Sequence, residues 1–279
     1  MKVKKLERSQ KSYYNKEFLS SDEARTIRIL AEFLEPEARF KKENIADTIV
    51  FFGSARILPY EVSKKELKKI ESKIFKSKRP NKKDFELNIQ ARMRLEFSKY
   101  YEDCLILSKL LTEWSKTLNH KNRFVVCSGG GPGIMEAANK GAYLAGGKSI
   151  GLNISLPHEQ YPNPYITPEL NFEFHYFFMR KLWFMHLAKA LVVFPGGFGT
   201  MDELMEMLTL IQTKKVKKRI PIILYGSEYW KNIINFDALV QYCMISKEDL
   251  NIFHFSDTPR EAFEFLKDEL IKNDQKNSK

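Results

Sequence analysis

Cysteine is scarce in this chain. Its 279 residues hold three, at positions 104, 127 and 243, odd in number and far apart. That excludes a disulfide framework and gives no zinc-ligand spacing. It points instead to a reducing, cytoplasmic setting. Histidine is scarce too. Of the five, His175 and His186 lie eleven residues apart and share no ligand spacing, so they read as packing or surface residues and no metal site is expected. No apolar run approaches the ~18 residues of a membrane helix. The basic start, Met1-Lys-Val-Lys-Lys, leads into polar residues rather than an apolar h-region, so no signal peptide is expected. Three catalytic signatures are also missing or fail. There is no G-x-S-x-G elbow, no arguable Ser-His-Asp set and no completed G-x-G-x-x-G fingerprint.

Positive charge is plentiful. The net charge of +11 raises nucleic-acid binding as a possibility, but the excess is concentrated. Ten Lys or Arg residues fall between Lys64 and Lys83, and a second cluster runs from Lys214 to Arg219. No recognition-helix pattern or RNA-binding aromatic motif accompanies them. A solvated basic face is the expected outcome, with neither nucleic acid nor membrane as a partner.

The hydrophobic periodicity alternates between strand and helix. Residues 1–20 are polar. Ser20-Ser21-Asp22 can cap a helix running to about Phe40, and Thr48-Ile-Val-Phe-Phe52 is a buried strand. A lysine-rich excursion follows, then a helical pattern from about Asp84 to Leu118. Next come a strand at Phe124–Cys127, a helix at Ile134–Leu144 with Pro132 in its first turn, and Gly146-Gly147 as its stop. Beyond lie a strand at Ser149–Ile154, a loop over 157–168, a strand at Phe172–Tyr176 and a helix at about 178–188. The pattern closes with strands at Ala190–Phe194 and Pro221–Leu224 and helices at about Leu204–Ile211, Tyr229–Tyr242 and Pro259–Ile271. This is the signature of an α/β, doubly wound parallel sheet with right-handed crossovers and helices on both faces. The expected division is an N-terminal helical extension over 1–46 and one nucleotide-binding domain over 47–279, with a lysine-rich insertion at about 60–83.

In such a sheet the glycine-rich turns after the strands share one edge, where ligands bind. Three turns qualify: Gly53-Ser54, Ser128 to Gly133, and Gly196 to Thr200. The last, Pro195-Gly-Gly-Phe-Gly-Thr-Met-Asp-Glu203, joins a buried strand to a helix. Glycines there allow close backbone approach, and the helix start offers free N–H groups to an anion. Three converging turns point to a phosphorylated, nucleotide-like ligand. The spacing Thr200-x-x-Glu203 also fits a capping box, which would give Glu203 a purely structural role. A relaxed Walker A match at Ala142–Ser149 is set aside, because there a helix ends and a strand begins, the reverse of a P-loop.

Arg180 and Lys181 stand near the start of a helix, where cations oppose the dipole. Either they are solvated or a bound anion holds them. If Arg180 and Glu203 both reach the crevice, they suit glycosidic cleavage. A carboxylate stabilises the oxocarbenium-like state or activates water, and an arginine fixes a phosphate.

Ser128-Gly-Gly-Gly-Pro-Gly-Ile-Met-Glu-Ala-Ala-Asn139 and Pro195–Glu203, with Arg180-Lys181 between them, resemble the Lonely guy (LOG) family. Its members are cytokinin riboside 5'-monophosphate phosphoribohydrolases and related nucleotide 5'-monophosphate nucleosidases. The resemblance spans roughly residues 47 to 245. It implies a Rossmann-like fold, a homodimer, and hydrolysis of a nucleoside monophosphate to free base and ribose 5-phosphate without a cofactor. It implies Arg180 and Glu203 as the catalytic pair. The substrate would be held by Gly53, Ser54, Gly130, Gly131, Gly196, Gly197, Gly199 and Thr200, with Glu159 and Lys181 lining the pocket. The family has often carried a lysine decarboxylase label, but no residue context here suggests a pyridoxal phosphate lysine. Related molybdenum-cofactor carriers, which bind without hydrolysing, are the alternative the resemblance leaves.

Overall fold

Thr48–Phe52 is buried along its whole length, and the sheet is built outward from it. The computed structural model describes residues 8–77, 80–118, 122–156 and 161–277. The strands are β1 (Thr48–Phe52), β2 (Val125–Ser128), β3 (Ser149–Ile154), β4 (Asn171–Phe174), β5 (Ala188–Val193), β6 (Ile222–Tyr225) and β7 (Phe253–Ser256). They form one seven-stranded sheet, ordered β4-β3-β2-β1-β5-β6-β7, in which every neighbouring pair is parallel. The helices are α1 (Lys16–Ser20), α2 (Arg25–Lys42), α3 (Tyr60–Lys76), α4 (Lys82–Ser115), α5 (Ile134–Leu144), α6 (Phe177–Leu187), α7 (Phe198–Gln212), α8 (Ser227–Ile233), α9 (Phe236–Gln241) and α10 (Pro259–Asn277).

The period-2 alternation of a strand explains the two cores. Ile49, Phe51, Val126, Ala190, Val192 and Ile223 point to one face, where they meet Leu107 and Leu111 of α4, Ala138 of α5 and Leu266 of α10. Val50, Phe52, Cys127, Leu191 and Val193 point to the other, against Phe40 of α2, Trp183 of α6 and Leu204 of α7. Helices thus cover both faces and the fold is Rossmann-like. α2 belongs to the second face: Phe40 lies 4.9 Å from Phe172 and 5.3 Å from Trp183, ring centre to ring centre, and the Trp183 indole donates to the Glu32 carbonyl at 2.9 Å. Among the described residues no helix is long and apolar enough to cross a membrane.

Four local expectations are corrected. α7 begins at Phe198 with Gly197 at its N-cap, so Thr200 is inside the helix and buried, and Thr200-x-x-Glu203 is not a capping box. Pro132 lies before α5, which starts at Ile134 after Gly133 at φ 69°. The single helix expected over 229–242 is two, because α8 ends at Ile233 and Asn235 caps α9, accepting from the Ala238 N–H at 2.9 Å. β7 was not anticipated; Phe253-His-Phe-Ser256 is a half-buried edge strand too short to stand out by pattern. The Gly146-Gly147 stop holds, with the Gly147 N–H reaching back to the Ala142 carbonyl at 3.0 Å in a Schellman closure.

Candidate active site

β2, β1 and β5 are adjacent, so the turns that follow them meet. The Ser54 N–H donates to the Pro195 carbonyl at 3.0 Å, and the Ile134 N–H donates to the Ser54 carbonyl at 3.1 Å. The three glycine turns are therefore one hydrogen-bonded unit at the carboxyl edge of the sheet, where the order of strand addition reverses between β1 and β5. Against this unit lies a cavity of about 1080 Å³.

Arg180 and Glu203 both line it. Arg180 comes from the first turns of α6, beneath β3. Its Nε donates to the Leu152 carbonyl at 2.7 Å and its Nη2 to Gly129 at 3.5 Å, with the guanidinium 5.0 Å from the Phe184 ring centre. Among the described residues its Nη1 has no acceptor. Burial pulls its pKa down from the ordinary guanidinium range, and Glu203 pushes the other way. Glu203 comes from the second turn of α7 and is half-buried. Among the described residues its carboxylate has neither a hydrogen bond nor an ion pair. Burial raises its pKa to about 7 against the opposing pull of Arg180 and Lys181, with Asp202 and Glu206 adding to the rise. A group poised near neutrality in a cleft, next to a buried cation, is suited to acid–base work.

The glycines of the α7 turn differ in what they are for. A Cβ on Gly196 would overlap the Thr200 hydroxyl, so packing demands glycine there. A Cβ on Gly197 or Gly199 would meet nothing within 4 Å. Gly197 also has an ordinary φ of −92°. Neither fold nor backbone requires glycine at these two places, yet both border the cavity beside the start of α7. The empty space suits a ligand that approaches the backbone.

Gly53, Ser54, Gly196, Gly197, Gly199 and Thr200 border the cavity together with Arg180 and Glu203. Gly130 and Gly131 do not. Their carbonyls turn to Asn163 Nδ2, at 3.0 and 3.1 Å, and Gly129 takes the place at the cavity wall. Lys181 is also turned away: its ammonium pairs with Asp202 at 2.7 Å and Glu206 at 2.9 Å, the carboxylates on either side of Glu203 along α7. Glu159 lies outside the described residues. Two contributions were missed in the sequence. Tyr229 of α8 lines the cavity and donates its hydroxyl to the Gly196 carbonyl at 2.6 Å, with no local signal to betray it. Ile89, Gln90, Met93, Arg94 and Phe97 of α4 form a wall. Their i, i+4, i+8 apolar spacing was legible but reads first as core.

Fold and site together define an open parallel α/β protein that brings a glycine turn at a helix start, a half-buried arginine and a carboxylate unpaired among the described residues to one cavity at its switch point. Comparison narrows this. The model of a family described as "Possible lysine decarboxylase" matches residues 135–266. A pyrimidine/purine nucleotide 5'-monophosphate nucleosidase of Escherichia coli (strain K12) is 30% identical over 115 residues. That match covers 36% of this chain and only 24% of the length of the E. coli protein. A probable cytokinin riboside 5'-monophosphate phosphoribohydrolase of Oryza sativa subsp. japonica, LOGL6, is 26% identical over 171 residues, covering 60% of this chain and 64% of the rice protein. Among solved structures, TM1055 is 23% identical with a TM-score of 0.43, covering 61% of this chain and 89% of that one. The molybdenum cofactor binding protein of Rippkaea orientalis is 19% identical with a TM-score of 0.41, covering 61% of this chain and 86% of that one. The resemblance to the LOG family stands in these relatives as well as in the two glycine motifs.

Proposed function

We propose that the protein hydrolyses the N-glycosidic bond of a nucleoside 5'-monophosphate, AMP-like or a cytokinin riboside monophosphate. The observation that carries this is the Glu203 carboxylate. It is half-buried, without an ion pair among the described residues, poised near neutrality, and it shares one cavity with Arg180 and the Gly196–Thr200 turn. The names of the relatives support the same reaction class.

The N–H groups at the start of α7, with Gly197, Gly199 and Thr200, take the 5'-phosphate, and Gly53 and Ser54 close the turn behind it. Arg180, held by Leu152 and Gly129, directs its remaining donor at the sugar phosphate. As the bond from C1' to the base nitrogen breaks, its electron pair leaves with the base, which takes a proton from solvent, and the balance is restored when Glu203 later releases to solvent the proton it gains. The ionised Glu203 stabilises the positive charge that grows on the ribose and accepts a proton from the attacking water. The new bond joins water oxygen to C1', giving ribose 5-phosphate. Lys181 acts through α7 rather than on substrate, and Glu159 keeps the place at the substrate wall that the resemblance implies. The same reading carries a cytoplasmic homodimer that needs no metal or organic cofactor.

The test is release of base from a panel of nucleoside monophosphates, wild type beside Glu203→Ala. Base and ribose 5-phosphate in equal amounts, reduced by roughly a hundredfold or more in a folded Glu203→Ala, is the expected result. Tight nucleotide binding with no release from any substrate would overturn it and leave a carrier.

A further inference from the structure

We infer that the cavity face of α4 is the subsite that receives the base, with Gln90 reading its hydrogen-bonding edge. This rests on the proposed reaction and adds to it the part of the chain that selects the base.

α4 runs 34 residues, far longer than the sheet beneath it needs, and its first half extends past the core to the cavity. Ile89, Met93 and Phe97 fall at i, i+4 and i+8 and so share one face. Ile89 is 61% exposed and Met93 47% exposed, although both border the cavity. Ile57, Phe177 and Leu156 line the same cavity. Apolar side chains from α4 and from other elements thus border one cavity, which suits a flat heterocycle. The wall is braced by α3, whose Glu66 and Glu71 pair with Arg94 and Arg92 at 2.5 and 2.6 Å. It is also tied to the phosphate turn. Phe97 packs edge-on against Tyr229 at 5.9 Å between ring centres, and Tyr229 holds the Gly196 carbonyl. An anion on the α7 turn therefore puts the rest of a nucleotide against α4.

Gln90 is the uncharged amide on this wall, and among the described residues it has no hydrogen-bond partner. An amide offers one acceptor and a two-proton donor side by side, the complement of a purine edge. On the edge of positions 6 and 7, adenine presents an amino donor beside the N7 acceptor, whereas hypoxanthine presents two acceptors, O6 and N7. A glutamine serves either by turning over. A glutamate at the same place, ionised at neutral pH, can only accept.

The experiment compares wild type, Gln90→Glu and Met93→Ala. It measures the Kd of AMP and IMP by calorimetry, with base release and light-scattering mass on the same samples. The expected result is that Gln90→Glu raises the AMP-over-IMP preference about tenfold or more. Met93→Ala should weaken both nucleotides while leaving ribose 5-phosphate binding unchanged. An AMP/IMP ratio unmoved in a folded Gln90→Glu overturns the inference, as does a Met93→Ala that changes only the oligomeric mass. If AMP binds and the ratio moves but no base is released, the hydrolase reading falls and the base subsite stands.

Discussion

Gly196, Gly197 and Gly199 share one turn, but only the first is held to glycine by its neighbours. A methyl at Gly196 strikes Thr200, so Gly196→Ala should lose about 1–3 kcal/mol through overpacking. Gly199→Ala should melt at or above the wild-type temperature, since a methyl fits and the unfolded chain loses freedom, and Gly197→Ala, at the N-cap of α7, should lose no more than about 1 kcal/mol. Their defect should appear in ligand binding, as a weakening of ribose 5-phosphate by about tenfold or more. Thermal melts alongside phosphate-ester titrations separate the two kinds of glycine. Glu203 makes a second prediction at this scale. Its pKa of about 7 lies above the ordinary glutamate value of 4.5, so between those values the folded protein binds the proton more tightly than the unfolded chain. The stability this contributes is full below about pH 4.5 and lost as pH rises through 7. Glu203→Gln should therefore raise the melting temperature at pH 8, by about 1–2 kcal/mol after allowance for partial exposure, or roughly 2–8 °C. The gain should shrink to nothing near pH 4. A variant no more stable at pH 8 than wild type would show that Glu203 is not desolvated. The turn residues themselves were legible, because glycine after a buried strand and before a helix has few uses. Which glycine serves packing and which serves a ligand was not, since that depends on what stands within a few ångströms.

At the scale of elements, α6 and α7 are linked by Lys181, whose ammonium bridges Asp202 and Glu206 on either side of Glu203. Replacing it by methionine frees two carboxylate charges on α7 and removes one of the two cations, with Arg180, that hold Glu203 down. Lys181→Met should shift the acidic limb of the kcat/KM profile to higher pH, and Lys181→Arg should restore it. A limb that stays in place would place Lys181 on the substrate instead. The sequence marked Lys181 as unusual because a cation opposes the dipole at a helix start. It could not show that the compensating anions belong to the protein itself. The capping box failed for a related reason. Thr200-x-x-Glu203 has the correct spacing, but α7 starts at Phe198 with Gly197 at its N-cap, and Thr200 is buried inside the helix against Gly196. β7, four residues at the sheet edge, is set by its pairing with β6, which no local pattern records.

At the scale of the whole molecule, the amino edge of the sheet is closed by charge as the carboxyl edge is opened for chemistry. Arg123 lies just before β2 and donates to Asp47 before β1, at 2.9 and 2.7 Å, and to Asp274 of α10, at 2.5 and 2.9 Å. Asp47 is only 3% exposed. Arg123→Met would leave that carboxylate with only the Phe124 N–H, at a cost of about 3 kcal/mol, a fall in melting temperature of roughly 6–12 °C. Activity at 20 °C should persist, because the cavity lies at the opposite edge. Calorimetry beside a base-release assay checks both, and loss of activity without loss of stability would contradict this separation.

Alternation of buried strands with helices was enough, by itself, to determine the parallel α/β class, and glycine placement was enough to mark the three turns. Both follow from local rules of burial and backbone freedom, which a linear pattern carries. Strand order, the meeting of the turns, the placing of Arg180 and Glu203 in one cavity, and the reach of α4 across it were decided only by tertiary structure. These depend on contacts between residues tens to more than a hundred positions apart, and no local periodicity encodes which of them meet.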